Sequence, residues 1–204
     1  MSSTPAEAEL ESALDSAKRR HERALQARDF AEIRVTSQAV LAAERALFAA
    51  RNEPHAVPIE FPVQWDAGAP LPHLLQNDSQ VFLLFLLAES NGPETLAVVE
   101  FKGCVSTRMG TPNDEVFHGH PLNGRGLELY SPLLVKNSPW IEQLKAISSV
   151  HRNYRPESWK DDNHYIFGFH DCTLECVARS FVVEARAGTM RQALADICGK
   201  MAEY

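Results

Sequence analysis

Two short segments of this chain gather the side chains that could do chemistry. One is NDEVFHGHPLNGRG, residues 113–126, which carries Asp114, Glu115, His118 and His120. The glycine between its histidines permits close approach of backbone to a ligand. A structureless stretch this long inside a compact domain tends to be functional or disordered. Val116, Phe117, Leu122 and the adjoining Leu127 argue for packing. The other segment is HYIFGFHDCTLEC, residues 164–176, with His164, His170, Asp171, Glu175 and two cysteines.

Three chemistries compete for these residues. Imidazoles beside a carboxylate suit zinc or another first-row divalent ion. His118, His120 and His170, with Glu115 or Asp171, form that candidate set. The chain contains no HExxH and no paired CxxC, so a metal cofactor rests on residue type alone. Acid–base chemistry would use His170 or His120 as general base, oriented by Asp171 or Glu115. Nucleophilic chemistry would use Cys172, provided that His118 or His120 supplies an imidazolium to lower its pKa. A packing role competes with each. A strand-end imidazole often bonds a loop carbonyl, and an aspartate in a tight turn bonds its own backbone. Cys176 sits in an apolar strand and reads as core. Glu175 is read as solvated or paired with Arg179, four residues on along the same face. Arg108, Arg125, Arg152 and Arg155 could clamp a carboxylate or phosphate, and Tyr154, Trp159 and Tyr165 could stack on a planar ligand.

The elements that position these segments are legible in part. Thr4, Pro5 and Glu7 form an N-terminal capping signal, followed by Leu10, Leu14, Ala17, Ala24 and Leu25 at helical spacing. Asp29 and Glu32 restart the pattern, and Ile33, Val40 and Leu47 recur seven apart. The spacing predicts two tightly joined helices of about six turns, an antiparallel hairpin over residues 1–53. The second helix carries more apolar surface than the first can cover, so it meets the rest of the protein or another copy.

Beyond it, VPIEFPVQW reads as an edge strand and QNDSQ as a turn. VFLLFLLAE and TLAVVEFKGCV read as strands paired through the Asn91–Gly92 turn. Residues 106–126 read as one long loop, and LELYSPLLVK as a returning strand. SPWIEQLKAISSV reads as a helix opened by Ser138 and Pro139. HYIFGFHD and TLECVARSFVVEA read as a tight hairpin or one long bent strand. In extended chain, residues two apart share a face. His164, Ile166, Gly168 and His170 therefore oppose Tyr165, Phe167 and Phe169, and Thr173 and Glu175 oppose Cys172, Leu174 and Cys176. TMRQALADICGKMAEY closes the chain as an amphipathic helix capped by Thr189.

Strands clustered between helices, without βαβ alternation, indicate an α+β fold. The expectation is an N-terminal antiparallel helical hairpin, then a mainly antiparallel β-sheet with flanking helices over residues 54–204. The 204 residues include 45% hydrophobic and 23% charged, enough to bury a core without disulfide or metal. A formal charge of −7 argues against nucleic acid and anionic membrane as partners. The longest apolar run, VFLLFLLA, is too short to span a bilayer. With no secretory leader in residues 1–30, a soluble cytoplasmic protein with reduced thiols is expected. The functional expectation is a small-molecule site where the 113–126 loop meets the 164–176 hairpin. It would do proton transfer or hold a divalent metal, and the sequence leaves open whether it is catalytic. The alternative is a non-catalytic protein that forms a homo-oligomer, a dimer, through its helical hairpin.

Overall fold

The structure is a computed structural model that describes residues 4–88 and 95–202. It begins with the predicted helical hairpin. Helix α1 (Pro5–Ala27) starts on a complete capping box: the Glu7 amide donates to Thr4 Oγ1, and the Thr4 amide donates to the Glu7 carboxylate. Helix α2 (Phe30–Ala50) starts on Asp29, which accepts from the Glu32 amide. Only Arg28 and Asp29 link the two helices. Arg28 reverses the chain at a positive φ of 54°. Between the helices, Arg20 bonds Glu32 at 2.7 Å, and His21 bonds Thr36 at 2.9 Å.

The remaining chain is α+β and wholly antiparallel. It forms two sheets where the sequence suggested one. Strands β1 (His55–Pro58), β6 (Pro132–Lys136), β7 (Asn163–Gly168), β8 (Thr173–Ala178) and β5 (Ser106–Gly110) make a five-stranded sheet in that order. Strands β2 (His73–Gln76), β3 (Val81–Leu86), β4 (Thr95–Lys102) and β9 (Ser180–Ala187) make a four-stranded sheet in that order. β3 and β4 pair antiparallel as the hydrophobic pattern requires, while the Asn91–Gly92 turn lies outside the described residues. The 106–126 segment is not all loop, because its first five residues form β5. TLECVARSFVVEA is two strands in different sheets, with the crossing at Arg179.

Alternation along the strands builds the core. Tyr165, Phe167, Leu174 and Cys176 point from the first sheet toward Val81, Leu83, Phe85, Val99 and Phe101 of the second. Phe61, Trp65, Phe169 and Phe181 complete an aromatic cluster, with centroids from 5.2 Å (Trp65–Phe169) to 6.3 Å (Phe101–Phe181). These separations suit edge-to-face and tilted ring contacts. The outer face of the second sheet, Phe82, Leu84, Leu96 and Val98, is covered by helix α4 (Met190–Ala202) through Ala193 and Ile197. The Gln192 amide donates to Thr189 Oγ1 at the start of α4, as its capping signal implies.

Two elements share the outer face of the first sheet. The 111–131 segment lays Leu122 and Leu127 over Ala56, Leu133, Val135 and Ile166. Helix α3 (Pro139–Ser148) and the Trp159 turn cover Val177 with Trp140, Ile141 and Leu144. The hairpin docks beside the first of these. Buried Glu44 accepts from the Gly126 amide at 2.9 Å, and Arg45 donates to the carbonyls of Ala56 and Gly126. Gly126 has φ +80°, and a Cβ there would lie 2.5 Å from the Ala56 carbonyl oxygen. Glycine is what lets the loop approach this closely. Among the described residues, no helix is long and apolar enough to cross a membrane.

Candidate functional site

The 113–126 loop and the 164–176 hairpin do meet. The Asp114 amide donates to the His170 carbonyl at 3.0 Å, and Thr173 Oγ1 donates to the Pro112 carbonyl at 2.7 Å. Phe117 fills the space above Gly168, where an added Cβ would sit 3.2 Å from its ring. The hairpin turn is tight, closed by the Phe169 amide on the Cys172 carbonyl at 2.8 Å.

The candidate residues fall into two groups. His170 is at the exposed end of the hairpin. Its Nδ1 lies 2.9 Å from Asp171 and its Nε2 lies 3.8 Å from Asp114. The hydrogen bond that His170 donates to Asp171 and the nearby charge of Asp114 raise its pKa above the ordinary histidine value. Tyr130 also donates to Asp114, at 2.7 Å; that bond lifts the Tyr130 hydroxyl to about 12. Glu115 and His118 are exposed. His120 turns the other way, buried under the loop. It meets Glu175 rather than His170. The three histidines are thus not gathered around one point. Among the described residues, no group of three or more His, Cys, Asp or Glu is arranged to hold a metal ion. Burial, and then the charge of Asp171, pushes the Cys172 thiol up, the direction opposite to that a nucleophilic cysteine needs.

The second group centres on Glu175. Its place on the outer face of β8 follows from alternation, and the register sets Arg108 of β5 directly opposite. Arg108 donates to both carboxylate oxygens, Nε to Oε1 and Nη2 to Oε2, at 2.7 Å each. An arginine able to clamp a carboxylate thus clamps the chain's own. Pairing of Glu175 with Arg179 does not occur. Arg179 sits where the chain leaves one sheet for the other, with its guanidinium 4.0 Å from Asp162.

His164, diagonal to Glu175 across β7 and β8, places Nε2 2.8 Å from Oε2. Its Nδ1 lies 2.8 Å from Ser138 Oγ. A carboxylate only accepts, so Nε2 carries the proton; the neutral ring then accepts at Nδ1 from the Ser138 hydroxyl. Burial lowers the His164 pKa, which favours that neutral form. Burial alone would raise the Glu175 carboxyl. The adjacent His120, with the bonds from His164 and Arg108, outweighs it and holds the group well below the usual carboxylate range.

Two more features complete the cluster. Ser138 is the N-cap of α3, where its Oγ accepts from the Ile141 amide at 3.2 Å. Pro139 has no N–H, and Glu142 bonds back to the Ser138 carbonyl. The Trp140 N–H lies in the first turn, where a helix supplies no backbone acceptor of its own. The Trp140 ring lies under the Arg108 guanidinium at 4.4 Å and edge-on to His164 at 5.1 Å. His120 accepts at Nδ1 from the Leu122 amide at 3.1 Å, so its proton is on Nε2. That atom is buried without a hydrogen-bond partner among the described residues, 3.7 Å from Glu175 Oε1. Ser138 also lines a cavity of about 280 Å³ shared with Ile141, Lys145, Trp159 and Asn163. Trp159 and Asp162 also line a larger cavity, of about 500 Å³, with Tyr154, Arg155 and Arg179. Burial raises the Asp162 carboxyl.

Sequence reasoning put His170, Asp171, His120 and Glu115 forward and passed over Ser138, His164, Glu175 and Arg108 as a set. One signal was present: a glutamate in the apolar strand TLECVA, on the same side of the hairpin as His164. Comparison of the chain with family models, with curated proteins and with solved structures gives no match.

Proposed function

We propose that this protein is an enzyme that performs acyl transfer or hydrolysis on a small molecule, with Ser138 as nucleophile. The observation that carries the reading is the unbroken chain Ser138–His164–Glu175, with both links at 2.8 Å. A neutral imidazole with one nitrogen on a serine hydroxyl and the other on a carboxylate is the general-base arrangement that activates serine. In this scheme Ser138 Oγ attacks the acyl carbon as its proton passes to His164 Nδ1. Glu175 stabilises the resulting imidazolium, and Arg108 keeps that carboxylate oriented and ionised. The Trp140 N–H at the start of α3 supplies a donor for the oxyanion. His120 offers its unpartnered Nε2–H within reach of the same carboxylate. The cavity beside Ser138, walled by Lys136, Lys145 and Lys160 together with Glu142 and Asp162, suits a small polar substrate.

The test is covalent labelling of folded protein with a fluorophosphonate probe, followed by peptide mapping. The expected result is an adduct on Ser138 that is lost in Ser138→Asn, which keeps a helix cap, and in His164→Gln. Absence of any adduct in folded wild type, or an adduct that persists in Ser138→Asn, would overturn the reading. A second reading, self-association through the helical hairpin, is favoured by the exposure of Leu25, Phe30 (83%) and Val35 near its turn. Phe30→Glu with Val35→Glu should then convert a dimer to a monomer by light scattering. A monomeric wild type at high concentration would sink that reading.

A further inference from the structure

Cys104 and Cys176 are far apart in sequence and touching in space. Their sulfurs are 3.6 Å apart. Cys176 points from β8 into the core between the sheets and has no exposed surface. Cys104 lies in the short link that carries the chain from β4 of one sheet to β5 of the other, and is half-buried. That link is pinned on both sides of Cys104. The Val105 amide donates to the Val177 carbonyl at 2.8 Å, and the Arg179 amide donates to the Lys102 carbonyl at 3.0 Å. Gly103 turns at φ +60° with the Arg179 side chain packed on it. Cys104 is therefore held against β8 by backbone bonds, and the pairing does not depend on a mobile loop.

We propose that Cys104 and Cys176 are an oxidisable thiol pair that closes into a disulfide within the folded protein, with a hydroperoxide as the oxidant. Access and geometry divide the roles. Cys104 is the partly exposed residue of the pair. Cys176 bonds it from the buried side and, with the Ser106 amide, favours the Cys104 thiolate. The Cys104 thiolate attacks the peroxide oxygen of hydrogen peroxide, and the O–O bond breaks. Cys104 becomes a sulfenic acid, and hydroxide leaves to take up a proton. Cys176 then attacks the Cys104 sulfur. The new S–S bond forms, the S–O bond breaks, and the oxygen departs as water with the Cys176 proton. Two electrons in all pass from the two thiols to one peroxide. The sulfurs must close from 3.6 Å to about 2.05 Å. The product would fasten the crossover between the sheets to the central part of β8.

The experiment exposes the native chain to a few equivalents of hydrogen peroxide, then alkylates remaining thiols in denaturant and maps peptides without reductant. Cys198 is exposed and serves as the internal gauge that oxidant was sufficient. The expected result is a Cys104–Cys176 link two hydrogens lighter than the thiols, with alkylation lost at those two positions and restored by dithiothreitol. Fragmentation must place the link on Cys176 rather than Cys172, since no Lys or Arg separates them. In Cys176→Ala, Cys104 should stop at a sulfenic acid trapped by dimedone; in Cys104→Ser, Cys176 should remain fully alkylatable. Wild-type protein whose Cys198 is oxidised while Cys104 and Cys176 both stay alkylatable would overturn the proposal. So would a link from Cys104 to Cys172 or Cys198. Both readouts come from wild type, so a variant that fails to fold does not protect the proposal.

Discussion

Glu175→Gln removes one charge from the centre of the polar cluster and keeps the side-chain volume. The wild-type carboxylate accepts two bonds from Arg108 at 2.7 Å and one from His164 at 2.8 Å. Gln can still accept from His164, but it turns an N–H toward the guanidinium. Breaking a fully buried ion pair costs about 3–5 kcal/mol. Glu175 is only 8% exposed, yet Arg108 is 54% exposed, so water recovers part of what the guanidinium loses. A loss of about 2 kcal/mol at pH 7 is therefore expected, a fall in melting temperature of about 4–8 °C for a chain of this size. Urea unfolding followed by tryptophan fluorescence measures it, since Trp140 and Trp159 flank the site and Trp65 lies in the core.

The pH dependence makes the test stricter. The folded carboxyl binds its proton more weakly than the unfolded one, so the unfolded chain takes up protons first as pH falls. The stability that Glu175 contributes is fully present above the unfolded value of about 4.3 and declines below it. By pH 3.5 the gap between wild type and Glu175→Gln should narrow by about 1 kcal/mol. A gap under about 0.5 kcal/mol at pH 7, or one that stays constant down to pH 3.5, would refute the assignment of Glu175 as a charged, partner-held group.

Further outcomes are expected. NMR titration should place His164 below and His170 above the ordinary histidine pKa of about 6.5, with Asp171→Asn drawing His170 back down; the reverse order would contradict both environments. Ser138→Ala should lower stability by about 1 kcal/mol through loss of the α3 cap, and Ser138→Asn by clearly less; equal thermal midpoints for the two would show that the cap contributes nothing. Gly126→Ala should cost more than about 2 kcal/mol, because a Cβ there meets the Ala56 carbonyl and Arg45 in a left-handed conformation. Gly119→Ala, with open space around it, should be close to neutral by the same denaturation assay.

What the amino-acid sequence determined by itself is local. The capping residues Thr4, Asp29, Ser138 and Thr189 begin helices because a side-chain oxygen three residues before an amide is a short-range relation, independent of the rest of the fold. The two-residue period of HYIFG and TLECV decided which residues face the core, since strand geometry alone sends neighbours to opposite sides. It also set His164 and Glu175 on one face, although nothing local could reveal which residues would cover that face.

Tertiary structure decided the rest. Whether Glu175 would be solvated or buried depended on β5 pairing with β8 and bringing Arg108 opposite it. That register joins residues 67 positions apart, and no periodicity records it. Arg179 seemed the nearer partner along the chain, but the crossing between sheets carried it to Asp162. His120 faces Glu175 instead of His170 because Phe117 seats the loop over Gly168, which turns the adjacent imidazole inward. The expected meeting of loop and hairpin occurs. His170 lies at the exposed tip of the hairpin, and the buried polar cluster around Glu175 on the covered outer face of the sheet. Side chains from β5, β7, β8, the loop and the start of α3 converge there, and only long-range packing brings five separate stretches of chain to one place.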